Sequence, residues 1–298
     1  MWPDGRWPEK PCIPAASQRQ ENCERRMREI IQNGAGIGLR AEHITTLLQQ
    51  PRRKDIDFLE LAPDNWMNIG GAKKEQLTDI ASKYSLIAHS LSLSIGDICP
   101  LNEDYINDIR RFLDEYNIDV YSDHLCFSRD QQGYLYDLLP VPGFPDTLPY
   151  LAERIDRVQN LLGRQLVLEN VSSYHRYEGE MPEAEFWCEL LHRSGCGMLL
   201  DINNVYVNAF NHGFDALAYI RSIPTDSIVY YHIAGHLEFE EFRLDTHGMP
   251  VLDEVLKLAK ETFRIHGARP LLLERDNNVP PLNELCAELA EIKTYILQ

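Results

Sequence analysis

Residues 165–172 read QLVLENVS and residues 197–205 read GMLLDINNV, and these two segments decide the fold. Each is a short apolar run that stops abruptly at polar, metal-competent side chains. Val167 and Leu168 lead into Glu169 and Asn170; Leu199 and Leu200 lead into Asp201, Asn203 and Asn204. Runs of this length and composition suit strands buried on both faces, as in a parallel sheet. A carboxylate at the tip of such a strand is costly unless something charged lies opposite it. Two of them on successive strands point to a shared cation.

Working outward, the same kind of segment recurs at 36–40 (GIGLR), 57–63 (DFLELAP), 85–94 (SLIAHSLSLS), 119–127 (DVYSDHLCF), 228–236 (IVYYHIAGH) and 270–276 (PLLLERD). Helical patterns separate them: a short one carrying His43, then about 72–84, 103–116, 146–162, 183–194, 215–222, 251–266 and 282–297. The stretch around DLLPVPGFP and the one holding Asp245 and His247 read as loops. Eight β–α units in fewer than 300 residues predict an α/β fold, a closed (β/α)8 TIM barrel. An open doubly wound sheet is the alternative, and it lacks a GxGxxG after the first strand. Residues 1–26, with scattered Pro and charge, read as a loosely ordered arm. Residues 27–298 read as one barrel domain.

A net charge of −17, from 46 acidic and 29 basic residues, argues against a nucleic-acid partner, because phosphate neutralisation needs a basic surface. Seven widely spaced Cys without a CxxC fit neither a disulfide framework nor a thiolate zinc site. They suggest a reducing, cytoplasmic compartment. The N-terminal residues lack the apolar core of a signal peptide. No run approaches the about 18 apolar residues of a membrane span, so no membrane role is expected.

In such a barrel the active site lies where the C-terminal strand ends and their loops converge. His43 follows the first strand, and His89 lies in the third. Asp123 and His124 are in the fourth. Glu169 and Asn170 end the fifth; Asp201 and Asn204 end the sixth. His232 and His236 end the seventh, with Asp245 and His247 in the loop beyond it. Glu274 and Asp276 end the eighth. A lone His in an apolar strand is ordinarily a hydrogen-bonded core residue, and Asp-Asn pairs ordinarily cap turns. Asp123 could serve only to orient a neighbouring His. Accumulation at successive strand ends outweighs these readings. Imidazole, carboxylate and amide donors without thiolate suit iron, zinc or manganese. About ten candidates exceed what one ion needs, so two or three ions are expected. His192 and His266 read as surface or packing residues; His175 and His212 lie in loops on the active face.

The segments GIGLR-x-x-H, HSLSLSIG, SDHLCFS, DLLPVP, LENVSSY, LLDINNVYVNAFNHGFD, HIAGH, DTHG and LLERDNNVP resemble the multinuclear non-haem iron-dependent oxidative enzymes, the MNIO family. The resemblance runs from about 34 to 285. It implies a xylose-isomerase-like barrel holding two or three iron ions, Fe(II) and Fe(III). Glu169, Asp201, His232 and Glu274 would hold one iron. His43 and His89 would hold a second, sharing Glu169. Asn204, Asp245 and His247 would hold a third. His124, His236, Asp276 and Asn170 would orient ligands, handle protons or touch substrate. Where many members carry Glu-Asn after the second strand, this chain has Asp64-Asn65, whose shorter reach leaves Asp64 outside the expected ligand set.

The resemblance further implies oxidation of cysteine in a ribosomally made precursor peptide with O2, assisted by a small partner protein that recognises the leader. The rival reading is a divalent-metal-dependent sugar isomerase or phosphodiesterase-like hydrolase on the same barrel. A sugar isomerase would be expected to place a Lys near the metal, and the strand ends offer none.

Overall fold

The computed structural model of the protein describes residues 34–297. The arm expected over 1–26 lies outside the described residues, as do Cys12 and Cys23. The strands are β1 (Ala35–Gly38), β2 (Phe58–Leu61), β3 (Ser85–His89), β4 (Tyr121–His124), β5 (Cys126–Asp130), β6 (Gly133–Pro140), β7 (Leu166–Glu169), β8 (Gly197–Asp201), β9 (Ile228–Ile233), β10 (Gly235–Glu238), β11 (Arg243–Met249) and β12 (Leu271–Leu273). The helices are α1 (Ala41–Gln49), α2 (Gly71–Lys83), α3 (Glu103–Glu115), α4 (Thr147–Leu162), α5 (Glu183–Ser194), α6 (Ile202–His212), α7 (Ala216–Ser222), α8 (Asp253–His266) and α9 (Leu282–Leu297).

Eight parallel strands close into a barrel in the order β1-β12-β9-β8-β7-β4-β3-β2. This is the (β/α)8 barrel expected from the sequence. Side chains alternate in and out along each strand. The inward set at mid-height is Phe58, Ile87, Val120, Val167, Leu199, Tyr230 and Leu272, which pack together inside the barrel. The outward neighbours, such as Leu59, Ala88, Tyr121, Leu168, Leu200, Tyr231 and Leu273, pack beneath the helices. β1 contributes glycine to the interior: a Cβ on Gly36 would lie 2.6 Å from the Phe58 ring, so Phe58 fills the space that β1 leaves.

Two residues further along these strands, or four in β4 where Ser122 intervenes, the inward positions change character from apolar to polar. They are Glu60, His89, His124, Glu169, Asp201, His232 and Glu274, at or just past the C-terminal strand ends. Strand register sets them side by side, with His124 opposite Glu169 and Asp201 opposite His232. Period-2 alternation therefore places a polar ring directly above an apolar floor.

Three sequence expectations are corrected. The first four residues of DLLPVP end β6, which pairs antiparallel with β5. Asp245 and His247 lie in β11, which pairs antiparallel with β10. Both segments are hairpins rather than loops, because each returns immediately along its own preceding strand. Asn203 and Asn204 do not extend the sixth strand. They form the first turn of α6, where Asp201 acts as N-cap and its Oδ1 accepts from the Asn204 backbone N–H at 2.6 Å.

A polar knot ties the segment after β7 to the helices. Asn208 donates to Val171 O at 3.0 Å and to Glu183 Oε2 at 3.3 Å, and Tyr219 donates to Glu183 Oε1 at 3.2 Å. Burial pushes the Glu183 carboxyl from 4.5 up to about 7. The folded chain keeps this proton over a range where the unfolded chain has lost it. The group's contribution to stability is therefore full below pH 4.5 and falls as pH rises through about 7. Glu183→Gln can present its oxygen to Asn208 and its amide to the Tyr219 oxygen. It should match the parent at pH 4.5 and be more stable at pH 8 by about 2 kcal/mol, allowing for partial exposure. Thermal unfolding at both pH values checks this; a Tm lowered equally at both would contradict it.

Candidate metal centre

The polar ring forms three overlapping groups whose donor atoms lie within 4.8 Å of one another: His89, Glu169 and His232; Glu169, Asp201, His232 and Glu274; and His247, Glu274 and Asp276. All but Asp276 are buried.

Glu169 is the hinge of the arrangement. Its Oε2 lies 3.1 Å from His89 Nε2 and 3.2 Å from His124 Nε2. Its Oε1 lies 3.9 Å from His232 Nδ1 and 3.5 Å from Asn204 Nδ2. His89 Nε2 and Glu169 Oε2 nevertheless have no hydrogen-bond partner, despite their proximity. They are near one another without being aimed at one another. Asp201 Oδ2 and His247 Nε2 are buried and orphaned in the same way. Buried polar atoms are rarely left unpaired. Donor atoms grouped together, buried and misaligned for mutual hydrogen bonds fit a cation between them.

Electrostatics agree. Burial alone would push the imidazoles down, but the Glu169 and Asp123 charges outweigh it and raise His124 to about 9. His232 is raised well above its ordinary value against the same burial effect, by Glu60 and Glu274. His247 is raised similarly, by Asp245 and Glu274. Conversely, Glu169 is held low by His124, His89 and His232 despite its burial, and Glu274 is held well below its ordinary value by His247 and His232. Burial lifts Asp201 to about 8. Without a cation, protons must offset this negative charge. A metal ion would do the same work and release them.

The remaining sequence-predicted residues are placed as follows. Asn204 Nδ2 donates to Asn170 O at 3.0 Å. Asp245 Oδ1 lies 2.7 Å from His247 Nε2 and accepts from Asn203 Nδ2 at 2.9 Å. His247 holds a φ of +46°, in the left-handed region that costs a non-glycine residue energy. Its Nδ1 lies 3.2 Å from Glu274 Oε2 and 3.5 Å from Asp276 Oδ2. Asp276 sits at the rim, paired with Arg40. Asn170 bridges β7 to β8, donating to Asp201 O at 3.0 Å and accepting from Asp201 N at 2.9 Å. Asp123 points out of the barrel and accepts from the Leu93 and His124 backbone N–H groups.

Two predicted residues are not brought to the ring. His43 lies on the buried face of α1 with Nε2 held 2.9 Å from Pro280 O, and it belongs to none of the three donor groups. His236 lies on β10, its Nδ1 2.7 Å from Asn203 Oδ1 and its ring beside Tyr206. His266 is a packing residue, bonded to Thr225 and Ile220, and His192 is exposed.

One residue was missed. Glu60, the inward residue of β2, contacts His232 Nε2 at 3.0 Å and Tyr230 OH at 2.8 Å. Alternation from Phe58 was the signal that pointed to it. Asp64, left out of the ligand set, accepts from Tyr105 OH at 2.8 Å.

The ring opens into a cavity of about 760 Å³. Apolar Leu61, Trp66, Leu91 and Leu244 line its walls together with Tyr174. Among the described residues lining it, Arg40 is the only Lys or Arg.

Comparison with known proteins agrees with this architecture. A D-psicose 3-epimerase from Clostridium cellulolyticum superposes with a TM-score of 0.59 at 12% identity, over 89% of this chain and 99% of the other. A xylose isomerase domain protein from Alicyclobacillus acidocaldarius gives 0.51 at 14% identity, over 89% and 99%. These likenesses show the xylose-isomerase-like TIM barrel. In sequence, a UPF0276 protein of Acinetobacter baylyi is 46% identical over 87% of this chain and 90% of its own length. A UPF0276 protein of Pseudomonas aeruginosa is 44% identical over 88% and 92%. The profile of one family spans residues 34–297, the whole barrel including every member of the polar ring. On that match the chain belongs to the RiPP precursor modification enzymes of the MbnB/TglH/ChrH family.

Proposed function

We propose that the protein oxidatively modifies cysteine residues in a ribosomally synthesised precursor peptide, using two or three iron ions and O2, with a partner protein that presents the peptide. The observation that carries this reading is the ring of buried, orphaned nitrogen and oxygen donors around Glu169, in a chain of this family.

Glu169, Asp201, His232 and Glu274 would hold one ion. His89 and His124, sharing Glu169, would hold a second. Asp245 and His247, with Asn204, would hold a third. Iron held there would supply a thiophilic Lewis acid and electrons for O2.

The chain's own residues shape the rest. No described cysteine joins the donor groups, so a substrate thiolate would meet no internal competitor. Cys126, on β5, is buried, and its thiol is pushed well above its ordinary value by burial and by neighbouring carboxylates. The cavity admits a peptide turn, with Trp66 and Leu91 offering apolar contact and Arg40 a hydrogen-bond donor for backbone carbonyls. Arg40 also holds Asp276 beside His247, which steadies that carboxylate at the rim. The surrounding ring excludes bulk water, strengthening each charge interaction within it.

The test is to incubate the iron-reconstituted protein in air with a cysteine-bearing peptide encoded beside its gene and with any small protein encoded there. Mass spectrometry should show a changed peptide mass and fewer alkylatable thiols. Unchanged thiols, together with turnover of a ketose sugar, would contradict the proposal.

A further inference from the structure

Below the ring runs a buried hydrogen-bond chain that the donor set does not account for. His232 Nε2 lies 3.0 Å from Glu60 Oε2. Tyr230 OH donates to the same oxygen at 2.8 Å. Ser122 Oγ lies 2.7 Å from Tyr230 OH, and His89 Nδ1 lies 2.8 Å from Ser122 Oγ. Ser122, Tyr230 and His232 are fully buried, and Glu60 and His89 nearly so. The chain crosses the barrel from β9 to β2, back to β9, then to β4 and β3.

The donor directions follow from Glu60, whose Oε2 accepts the Tyr230 O–H. Tyr230 gives its proton to Glu60, so its oxygen accepts from Ser122 at 2.7 Å, a closer contact than the alternative acceptor of the Ser122 hydroxyl, Ala88 O at 3.2 Å. Ser122, having given its proton, accepts from His89 Nδ1–H. From the other side, His232 Nε2–H donates to Glu60. His89 is thereby left bare at Nε2, the atom orphaned beside Glu169. His232 Nδ1, 2.9 Å from Glu274 Oε2, is then the nitrogen that a cation would take in place of a proton.

We propose that Glu60, Tyr230 and Ser122 are positioning residues: one carboxylate, acting through one hydroxyl chain, sets the ring tautomers of two histidines on opposite sides of the centre. Both then present a lone pair to the donor groups. The inference rests on the reading of those groups as a metal centre. A hydrogen-bond partner on a ligand's far nitrogen fixes its tautomer and orientation, and removing it typically weakens metal binding about 10- to 100-fold. Here one interior network would impose this on two ion positions together.

The test uses zinc, which is diamagnetic, on protein labelled with 15N in histidine. In the zinc-loaded wild type, two-bond 1H–15N spectra should show His89 protonated at Nδ1 and His232 at Nε2. Tyr230→Phe cuts the chain between Glu60 and Ser122. It should disturb the His89 Nδ1–H signal and weaken zinc binding at that position about tenfold or more, while leaving His232 as in the wild type. Ser122→Ala, a smaller change, should do the same and covers the case in which Tyr230→Phe does not fold. Glu60→Gln keeps an acceptor oxygen and should retain both tautomers. A wild type that binds no zinc would refute the metal reading itself. A wild type that binds zinc with the opposite tautomers would refute the positioning chain alone. So would Tyr230→Phe and Ser122→Ala variants that match the wild type in signal and affinity.

Discussion

Glu169→Ala should empty two ion positions at once and lower turnover on the order of 10³-fold, while the barrel still folds. The reason is its double engagement. Oε2 is shared by His89 and His124 at 3.1 and 3.2 Å, and Oε1 faces His232 and Asn204. No neighbouring carboxylate reaches both sides. Losing several kcal/mol of charge stabilisation at a metal site corresponds to about three decades in rate. Folding should suffer less. The imidazoles released from Glu169 can lose their protons, so the variant does not bury uncompensated charge. Elemental analysis beside far-ultraviolet circular dichroism checks the result. A folded variant with a full metal complement would contradict the assignment of Glu169 as the shared ligand.

His124→Ala and His43→Ala should part company, whereas the family resemblance implied a metal ligand in His43 and only a nearby orienting or proton-handling residue in His124. His124 Nδ1 lies 3.2 Å from Ser90 O, which leaves Nε2 facing Glu169. Its ring stands 4.5 Å from that of His89, and the two converge on one carboxylate oxygen. Its removal should cost about one ion per chain and about 100-fold in turnover, equivalent to about 3 kcal/mol. His43 is tied to Pro280 O, and its Nδ1 has no hydrogen-bond partner. Its removal should leave metal content and turnover unchanged and cost only about 1–3 kcal/mol of stability, for a lost buried hydrogen bond and a small cavity. Metal content and thermal unfolding of the two variants decide between them. Metal loss in His43→Ala with retention in His124→Ala would restore the sequence-based ligand set.

The barrel was legible because most of its strands are apolar until their tips. A run such as LVLE or GMLLD carries both the strand and the polar residue that ends it. Glu169, Asp201, His232 and Glu274, which the structure brings into one donor group, stood out for that reason. Glu60 was missed because FLEL continues into LAPDN, and the polar pair Asp64-Asn65 drew attention past the strand end to a short 3-10 turn. Counting alternate positions from Phe58 would have placed Glu60 inward. His43 misled because its place after a strand shows proximity to the mouth, whereas the direction of a helical side chain depends on how the helix packs. The hairpins were hidden for a different reason. β5–β6 and β10–β11 pair locally outside the barrel, and their half-exposed residues lack the apolar run that marks a barrel strand.

The most direct measurement is the metal content of the wild-type protein, purified without oxygen from iron-supplemented cells. The proposed function, resting on the donors that converge on Glu169 and the further group around His247, predicts two to three iron ions per chain. Zinc or manganese with little iron, persisting after anaerobic reconstitution, would contradict it and move the chemistry to hydrolysis or isomerisation.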